Sequence, residues 1–305
     1  MRVFVAGGTG AVGRRLVPQL VARGHEVTAT TTTEGKLGLL ALLGASAVVM
    51  DGLDAAAVGE AVAAARPEAI VSEMTALSPE HAGKLNLLRS GRYFEATNRL
   101  RGEGTDHLAA AAEAVGGCHL VAQSVAISNT TRHGGPVKTE DDPLEVTGVE
   151  AVRHLEEVVV AAGGAAVRYG ALYGAGSNDD HIRLLRKRMF PVIGGGVGHM
   201  SLVHVDDAAA ATVLAVEQKA TGVFNIVDDE PAAVADWLPY LARCVGARPP
   251  HRIPAWLARA LAGETMVAMM TRGRGFSNAK AKRELGWQPL HRSWRQGFAE
   301  FEGTA

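Results

Sequence analysis

Apolar residues in this chain fall into short unbroken runs, separated by longer stretches in which they return every three or four positions. Runs at 2–6, 26–30, 47–50, 69–72, 119–122, 165–169, 200–205 and 223–227 predict buried strands. The stretches between them predict helices over 37–43, 55–65, 93–114, 150–162 and 181–189. A further helix precedes these, with Val12, Leu16 and Leu20 on one face, Val17 and Val21 beside them, and a stop at Arg23 and Gly24. Pro18 lies inside it and costs one backbone hydrogen bond. Strands alternating with helices imply an α/β fold with a parallel, doubly wound sheet. Beyond residue 228 the pattern changes to helices joined by prolines, at 237–245 and 256–261, followed by a methionine-rich stretch at 266–270. Methionines at that spacing suit a core; they would also suit a lid over a flat apolar substrate. The expected division is a nucleotide-binding domain at 1–175 and 201–228. A smaller, mostly helical substrate-binding or lid domain takes 176–200 and 229–305.

The turn after the first strand reads Gly7-Gly-Thr-Gly-Ala-Val-Gly13. Strand, glycine turn and helix in that order meet the needs of a nucleotide pyrophosphate. Gly7 permits the tight turn, Gly10 lets the backbone approach phosphate, and Gly13 lets the helix pack against the strand. The N–H groups of Thr9, Ala11 and Val12 then face the anion at the positive end of the helix. This is the signature of a Rossmann fold carrying a dinucleotide.

The tip of the second strand, Thr30-Thr31-Thr32-Thr33, bears on which dinucleotide fits. A carboxylate there would bind a free ribose 2′-hydroxyl and repel a 2′-phosphate. None occurs before Glu34, whereas Thr31 and Thr32 offer hydroxyls and Lys36 or Arg14 offers positive charge. NADP(H) is therefore expected ahead of NAD(H), although threonines are also simply good strand residues. After the third strand, Asp51, Gly52 and Leu53 are placed to receive adenine, and Asp54 to cap the next helix. Met74, Thr75 and Ala76, after the fourth strand, are expected to flank the cofactor, beside the unusual acid Glu73. The polar stretch 125–149 reads as a long loop at a strand's carboxyl end, where ligands bind in such sheets.

Composition narrows the function classes without choosing among them. The chain has 305 residues, 47% of them hydrophobic, and a formal net charge of −1. Nothing there predicts a nucleic-acid or membrane partner. Cys118 and Cys244 have no metal-type spacing and read as reduced thiols of a cytoplasmic protein, a monomer or homodimer. The histidines form no recognisable ligand set, so no metal is expected, and no serine sits in a Gly-x-Ser-x-Gly elbow.

Taken together, these segments resemble the extended or atypical short-chain dehydrogenases/reductases of the NAD-dependent epimerase/dehydratase superfamily. The glycine turn resembles that family's phosphate loop, and Met50-Asp-Gly-Leu-Asp54 its adenine segment. Val121-Ala-Gln-Ser124 stands where its serine follows the fifth strand. Val167-Arg-Tyr-Gly-Ala-Leu-Tyr-Gly174, Leu202-Val-His-Val-Asp-Asp207 and Ser277-Asn-Ala-Lys-Ala-Lys-Arg-Glu-Leu-Gly-Trp287 match its later motifs. The resemblance implies that Gln123 and Ser124 lie beside the nicotinamide.

It also implies a catalytic Tyr, followed four residues later by Lys, on the helix after that serine. This helix has neither. Gly148 or Val149 occupies the Tyr slot, and Val152 or Arg153 the Lys slot, which leaves Arg153 as the ribose-side candidate. Ser124 remains as a catalytic candidate, with Tyr173 and Tyr169 as substitute acids and Glu73 and His204 behind them. Within the superfamily the chain is similar to ketoreductases that tailor angucyclinone-type aromatic polyketides. The implied activity is NADPH-dependent reduction of a carbonyl on a polycyclic aromatic polyketide, in antibiotic biosynthesis. A phenol on the substrate would replace the missing acid, which otherwise contributes about 10²–10⁴-fold. The alternatives are a redox sensor of the NmrA-like type, without catalysis, and a sugar-nucleotide epimerase or dehydratase.

Overall fold

In the computed structural model, residues 1–77, 90–145 and 149–302 are described. Seven parallel strands form the main sheet: β1 Arg2–Ala6, β2 Glu26–Thr31, β3 Ser46–Val49, β4 Ala69–Ser72, β5 His119–Val125, β6 Ala165–Tyr169 and β7 Gly222–Ile226. Their order is β7-β6-β5-β4-β1-β2-β3, so the winding reverses between β1 and β4. Those two strands pair with Val3 opposite Ala69 and Ala6 opposite Ser72. Their carboxyl ends thus finish level, and the crevice at such a reversal is where doubly wound sheets bind ligands.

Strand alternation sends the two faces of the sheet into separate cores. Val3, Val5, Val71, Val121, Val167 and Tyr169 pack beneath the helices Gly13–Ala22 and Val205–Glu217. Phe4, Ala6, Ile70, Leu120 and Ala166 pack against the helices Ala55–Ala65, Thr105–Ala114 and Val149–Ala161. Burial on both sides is why these strands read as continuous apolar runs rather than as alternating ones. A further core gathers Tyr173, Leu184, Phe190, Trp237, Leu241, Met270, Trp294 and Phe298, from the later part of the chain.

Three elements differ from the sequence expectation, each for a local reason. The predicted strand at 200–205 narrows to Leu202–His204, which pairs with Ala171–Tyr173 outside the main sheet. It ends because His204 Nδ1 accepts the Asp206 N–H at 3.2 Å and starts the next helix. The long helix expected at 93–114 runs from Ser90–Arg99 through a π turn, Leu100–Gly104, into Thr105–Ala114. Gly104 of that turn lies so close to Met74 that a Cβ would sit 3.1 Å from its Cε. The segment Ala255–Arg272 is two helices joined at Gly263, whose φ of +82° and ψ of 167° interrupt the turn. Met270 is buried in the later core, with Met266 and Met269 packed partly against it, so these side chains are engaged in packing. Among the described residues, no helix is long and apolar enough to cross a membrane.

Candidate functional site

The three glycines of the first turn do three different things. Gly7 has φ +89°, and a Cβ on it would lie 2.7 Å from the Glu73 carbonyl oxygen. Gly13 begins the helix so tightly beneath the loop that a Cβ would lie 2.5 Å from the Gly7 oxygen. At Gly10 a Cβ would meet only that same oxygen, at 3.3 Å. The chain's own packing therefore demands glycine at 7 and 13, whereas at 10 it leaves a space that a side chain would fill. Around that space the N–H groups of Thr9, Ala11, Val12 and Gly13 have no acceptor among the described residues. The helix has no acid in its first turn, and Arg14 and Arg15 follow directly. Free N–H groups, the helix dipole and basic side chains fit a dinucleotide pyrophosphate.

Predicted cofactor residues at the next two strand ends divide between surface and support. Thr31 is buried, and its hydroxyl braces the loop by accepting from Thr9 Oγ1 at 3.5 Å and from the Thr33 N–H at 3.4 Å. Thr32 is exposed, and Lys36 lies half-buried in the 3₁₀ turn Glu34–Lys36. Arg14 is exposed and donates from Nε to the Thr9 carbonyl at 2.8 Å. Beyond β3, Asp51 accepts the Leu53 N–H at 3.0 Å, while Asp54 caps the next helix through the Ala56 and Ala57 N–H groups at 3.0 and 3.1 Å. Gly52 rests against Met74, where a Cβ would come within 2.4 Å of the sulfur. The Ala76 N–H donates to Thr97 Oγ1 at 3.0 Å, tying the Thr75–Ala76 backbone to the helix Ser90–Arg99.

Glu73, at the switch point, is 4% exposed. Its Oε1 accepts the Tyr169 hydroxyl at 2.7 Å, and Tyr169 also meets Thr212 Oγ1. Burial pushes the Glu73 carboxyl up to about 8, against the opposing pull of that hydrogen bond. Tyr169 is itself pushed well above the usual phenol range by burial and by Glu73. The structure thus places Tyr169 as a buried support for Glu73. Tyr173 is likewise fully buried, edge-on to His204 and Phe298 at 5.3 and 5.1 Å, and its hydroxyl has no partner among the described residues. Burial and the nearby Asp228 raise it far above an ordinary phenol. Neither tyrosine is placed as a ready proton donor at neutral pH.

Ser124 is completely buried, and its hydroxyl donates to Glu156 Oε1 at 2.6 Å. Arg168 grips the same carboxylate, Nε to Oε1 and Nη2 to Oε2, both at 2.7 Å. Its proton committed, the serine is left as a hydrogen-bond acceptor. Gln123 precedes it, half-buried at the end of β5. Of the two Tyr-slot positions, Gly148 lies outside the described residues and Val149 begins the helix Val149–Ala161. Val152 is buried with Ala126, Leu144 and Val227. Arg153 is exposed and donates from Nη2 to the Leu144 carbonyl at 3.0 Å.

Glu156 and Arg168 were not among the residues singled out by sequence. A signal for both existed: Glu156 interrupts the apolar stripe Val152, Leu155 and Val159, and Arg168 stands in an otherwise apolar strand. His204, Asp207 and His291 do bring ligand atoms within 4.8 Å of one another. Asp207, however, accepts the Leu290 N–H at 2.7 Å and both the His291 N–H and its Nδ1 at 2.9 Å. The cluster fastens the C-terminal segment onto the helix Val205–Glu217.

Residues 3–227 match the NAD dependent epimerase/dehydratase family. The chain belongs to that family. A Streptomyces protein named 3-diazoavenalumate denitrifying reductase is 44% identical over 98% of this chain and 99% of its own length. Among solved structures, DesIV, a dTDP-glucose 4,6-dehydratase from Streptomyces venezuelae with NAD and TYD bound, superposes with a TM-score of 0.77 at 20% identity, over 99% of this chain and 95% of its own. The human epimerase family protein SDR39U1 with NADPH gives 0.74 at 22%, over the whole of both chains. These two show a shared NAD(P)-binding fold. Within the epimerase/dehydratase family, this chain keeps the phosphate loop, carries no Tyr or Lys at positions 149, 152 and 153, and occupies its serine with Glu156.

Proposed function

We propose that the protein is an NADPH-dependent reductase that delivers hydride to an aromatic substrate whose reduction needs no proton from the enzyme. The bound nicotinamide cofactor supplies that hydride. One observation carries the reading: the serine of the site has its proton committed to Glu156, and no Tyr or Lys follows at 149, 152 or 153.

Two substrate classes satisfy that condition. In an aryl diazonium the electrophile is already cationic. Hydride in and dinitrogen out is balanced as Ar–N₂⁺ + H⁻ → Ar–H + N₂, and no oxyanion forms that would need an acid. The 44% identical relative, named for a diazo compound and for denitrification, supports this class. A ketone on a phenolic polycyclic polyketide is the second class, in which a neighbouring substrate phenol protonates the developing alkoxide. A named reductase among the relatives also favours catalysis over a pure redox-sensing role. The sugar-nucleotide enzymes share the fold at 20% identity and carry no argument about substrate.

Stopped-flow absorbance at the nicotinamide band, with aryl diazonium phenols and phenolic polycyclic ketones, separates these outcomes. With cofactor deuterated at the transferring position, the diazo reading expects one deuterium on the carbon that lost nitrogen. Tight cofactor binding with no oxidation by either panel would sink the reductase reading.

A further inference from the structure

His291 stands between two carboxylates. Its Nδ1 lies 2.9 Å from Asp207 Oδ2, and its Nε2 lies 2.9 Å from Glu300 Oε1. A neutral imidazole has a single N–H, so it serves one of these acceptors and turns a lone pair on the other. Only the imidazolium donates to both. Burial opposes the charge, but the hydrogen bonds to Asp207 and Glu300 outweigh it and raise His291 above the usual imidazole value.

His204 does not share that charge. Its Nδ1 accepts the Asp206 N–H at 3.2 Å, and its ring stacks on His291 with centroids 3.8 Å apart. Two cations at that separation would repel. Burial and the adjacent His291 lower His204, outweighing the pull of Asp206, Glu300 and Asp207. The other charges around the two rings are engaged elsewhere among the described residues. Asp206 pairs with Arg15 at 3.2 Å. Tyr173, edge-on to His204, is kept neutral by burial and by Asp228. Arg292, next in the chain, is exposed and acts on Asp229.

What the proton holds is the end of the chain. Asp207 takes the Leu290 N–H on Oδ1 and the His291 N–H on Oδ2, and its carbonyl takes the Trp287 indole N–H at 3.1 Å. Asp207 lies on the helix Val205–Glu217, which packs against Gly13–Ala22, the helix that opens at the phosphate loop. Further on, the helix Trp294–Ala299 buries Trp294 and Phe298 in the later core, against Val234–Cys244. The segment 287–300 therefore straps one core to the other, and His291 fastens it at the first.

We propose that His291 is a pH-sensitive clasp on this strap, closed on Asp207 and Glu300 while the ring carries both hydrogens and loosened when it loses one. The lost proton passes to solvent on the exposed Glu300 side. The clasp is independent of the reductase reading above. Its stabilisation is complete below the ordinary imidazole value of about 6.5 and is lost as pH rises through the raised value in the folded chain.

The test follows imidazole nitrogens by NMR and amide hydrogen exchange in the full chain, as wild type, His291→Gln and Asp228→Asn. His291 is expected to titrate above about 6.5, with His204 neutral throughout. Relative to the Val5 amide of β1, protection of the Leu290 amide should fall about tenfold or more between about pH 6 and pH 9. In His291→Gln that change should shrink to less than about twofold. Asp228 accepts the Trp294 N–H at the far end of the strap, so Asp228→Asn should keep the wild-type pH dependence. A His291 midpoint at or below about 6.5 overturns the proposal without any variant. So does an undiminished pH dependence in His291→Gln, or its disappearance in Asp228→Asn. Binding of added Zn²⁺ by wild type that His291→Gln abolishes also overturns it, making His204, Asp207 and His291 a metal site instead.

Discussion

Ser124 gives its hydroxyl proton to Glu156 at 2.6 Å, and Arg168 holds that carboxylate from the other side. The serine in the position of a catalytic hydroxyl is thereby tied into a buried ion pair. Loss of a true general acid costs about 10²–10⁴-fold. Ser124→Ala is instead expected to lower kcat/KM by less than about tenfold, because only a hydrogen-bond acceptor is removed. A fall of a thousandfold with unchanged thermal midpoint would make the serine a proton donor after all.

Glu156→Ala has a different expected signature. It strands the Arg168 guanidinium, whose Nη1 already has no partner among the described residues, in the interior. Breaking one side of a buried pair typically costs about 3–5 kcal/mol. Urea unfolding should show that loss, while a double replacement of Glu156 and Arg168 by Met should recover a large part of it. Equal losses in the single and double variants would mean that packing, not the stranded charge, sets the cost.

Much of the sheet was legible because its strands are buried on both faces and broken by glycine or proline turns. The glycine turn and the Asp54 cap were readable for the same reason: backbone geometry dictates them locally. What could not be read was pairing across the sheet. Tyr169 to Glu73 spans two strands, and Ser124 to Glu156 joins a strand to a helix thirty-two residues later. Nothing in the local pattern says which of two polar side chains on adjacent elements will face each other. The π turn escaped detection because its apolar spacing differs from an α-helix by a single residue over one turn.

Gly10 and Gly13 should separate under substitution to alanine. At Gly13 the added Cβ would lie 2.5–2.7 Å from Gly7 and Gly8 backbone atoms, so the variant should unfold at a clearly lower temperature. At Gly10 the contact is 3.3 Å to one oxygen, so the fold should survive while cofactor affinity drops by about tenfold or more. Calorimetric melting and cofactor titration decide it. A Gly10→Ala protein that binds the cofactor normally would remove the phosphate role from this loop.

Glu73 and Asp228 give stability a pH dependence of one sign. Both carboxyls are raised to about 8 in the folded chain, by burial, from ordinary values of 4.5 and 3.8. Between the unfolded and folded values, the folded state holds protons that the unfolded state has released. Stability therefore falls as pH rises through that window, most of the loss being complete above about pH 8. Glu73→Gln keeps an acceptor for Tyr169 and cannot ionise. Its stability relative to wild type should improve from about pH 5 to pH 8 and level off above that. A difference that stays constant across that range would show that the Glu73 carboxyl ionises normally inside the protein.

The proposed preference for a 2′-phosphate would rest on the tip of β2 and on the basic residues Lys36 and Arg14. Thr31 spends its hydroxyl on Thr9 and Thr33, so Thr31→Ala should loosen the phosphate loop and weaken NADPH and NADH alike. Thr32 is exposed, Lys36 is half-buried, and Arg14 projects from the helix start with its Nε on the Thr9 carbonyl. A charge-assisted hydrogen bond contributes about 1.5–3 kcal/mol, or roughly ten- to a hundredfold in affinity. Lys36→Ala and Arg14→Ala are therefore expected to weaken NADPH by about tenfold and NADH by less than about threefold. Fluorescence titration with both cofactors reads this directly. Equal weakening of the two by Arg14→Ala would move that guanidinium to the pyrophosphate. Equal weakening by both variants would leave the protein with no protein-borne preference for NADPH.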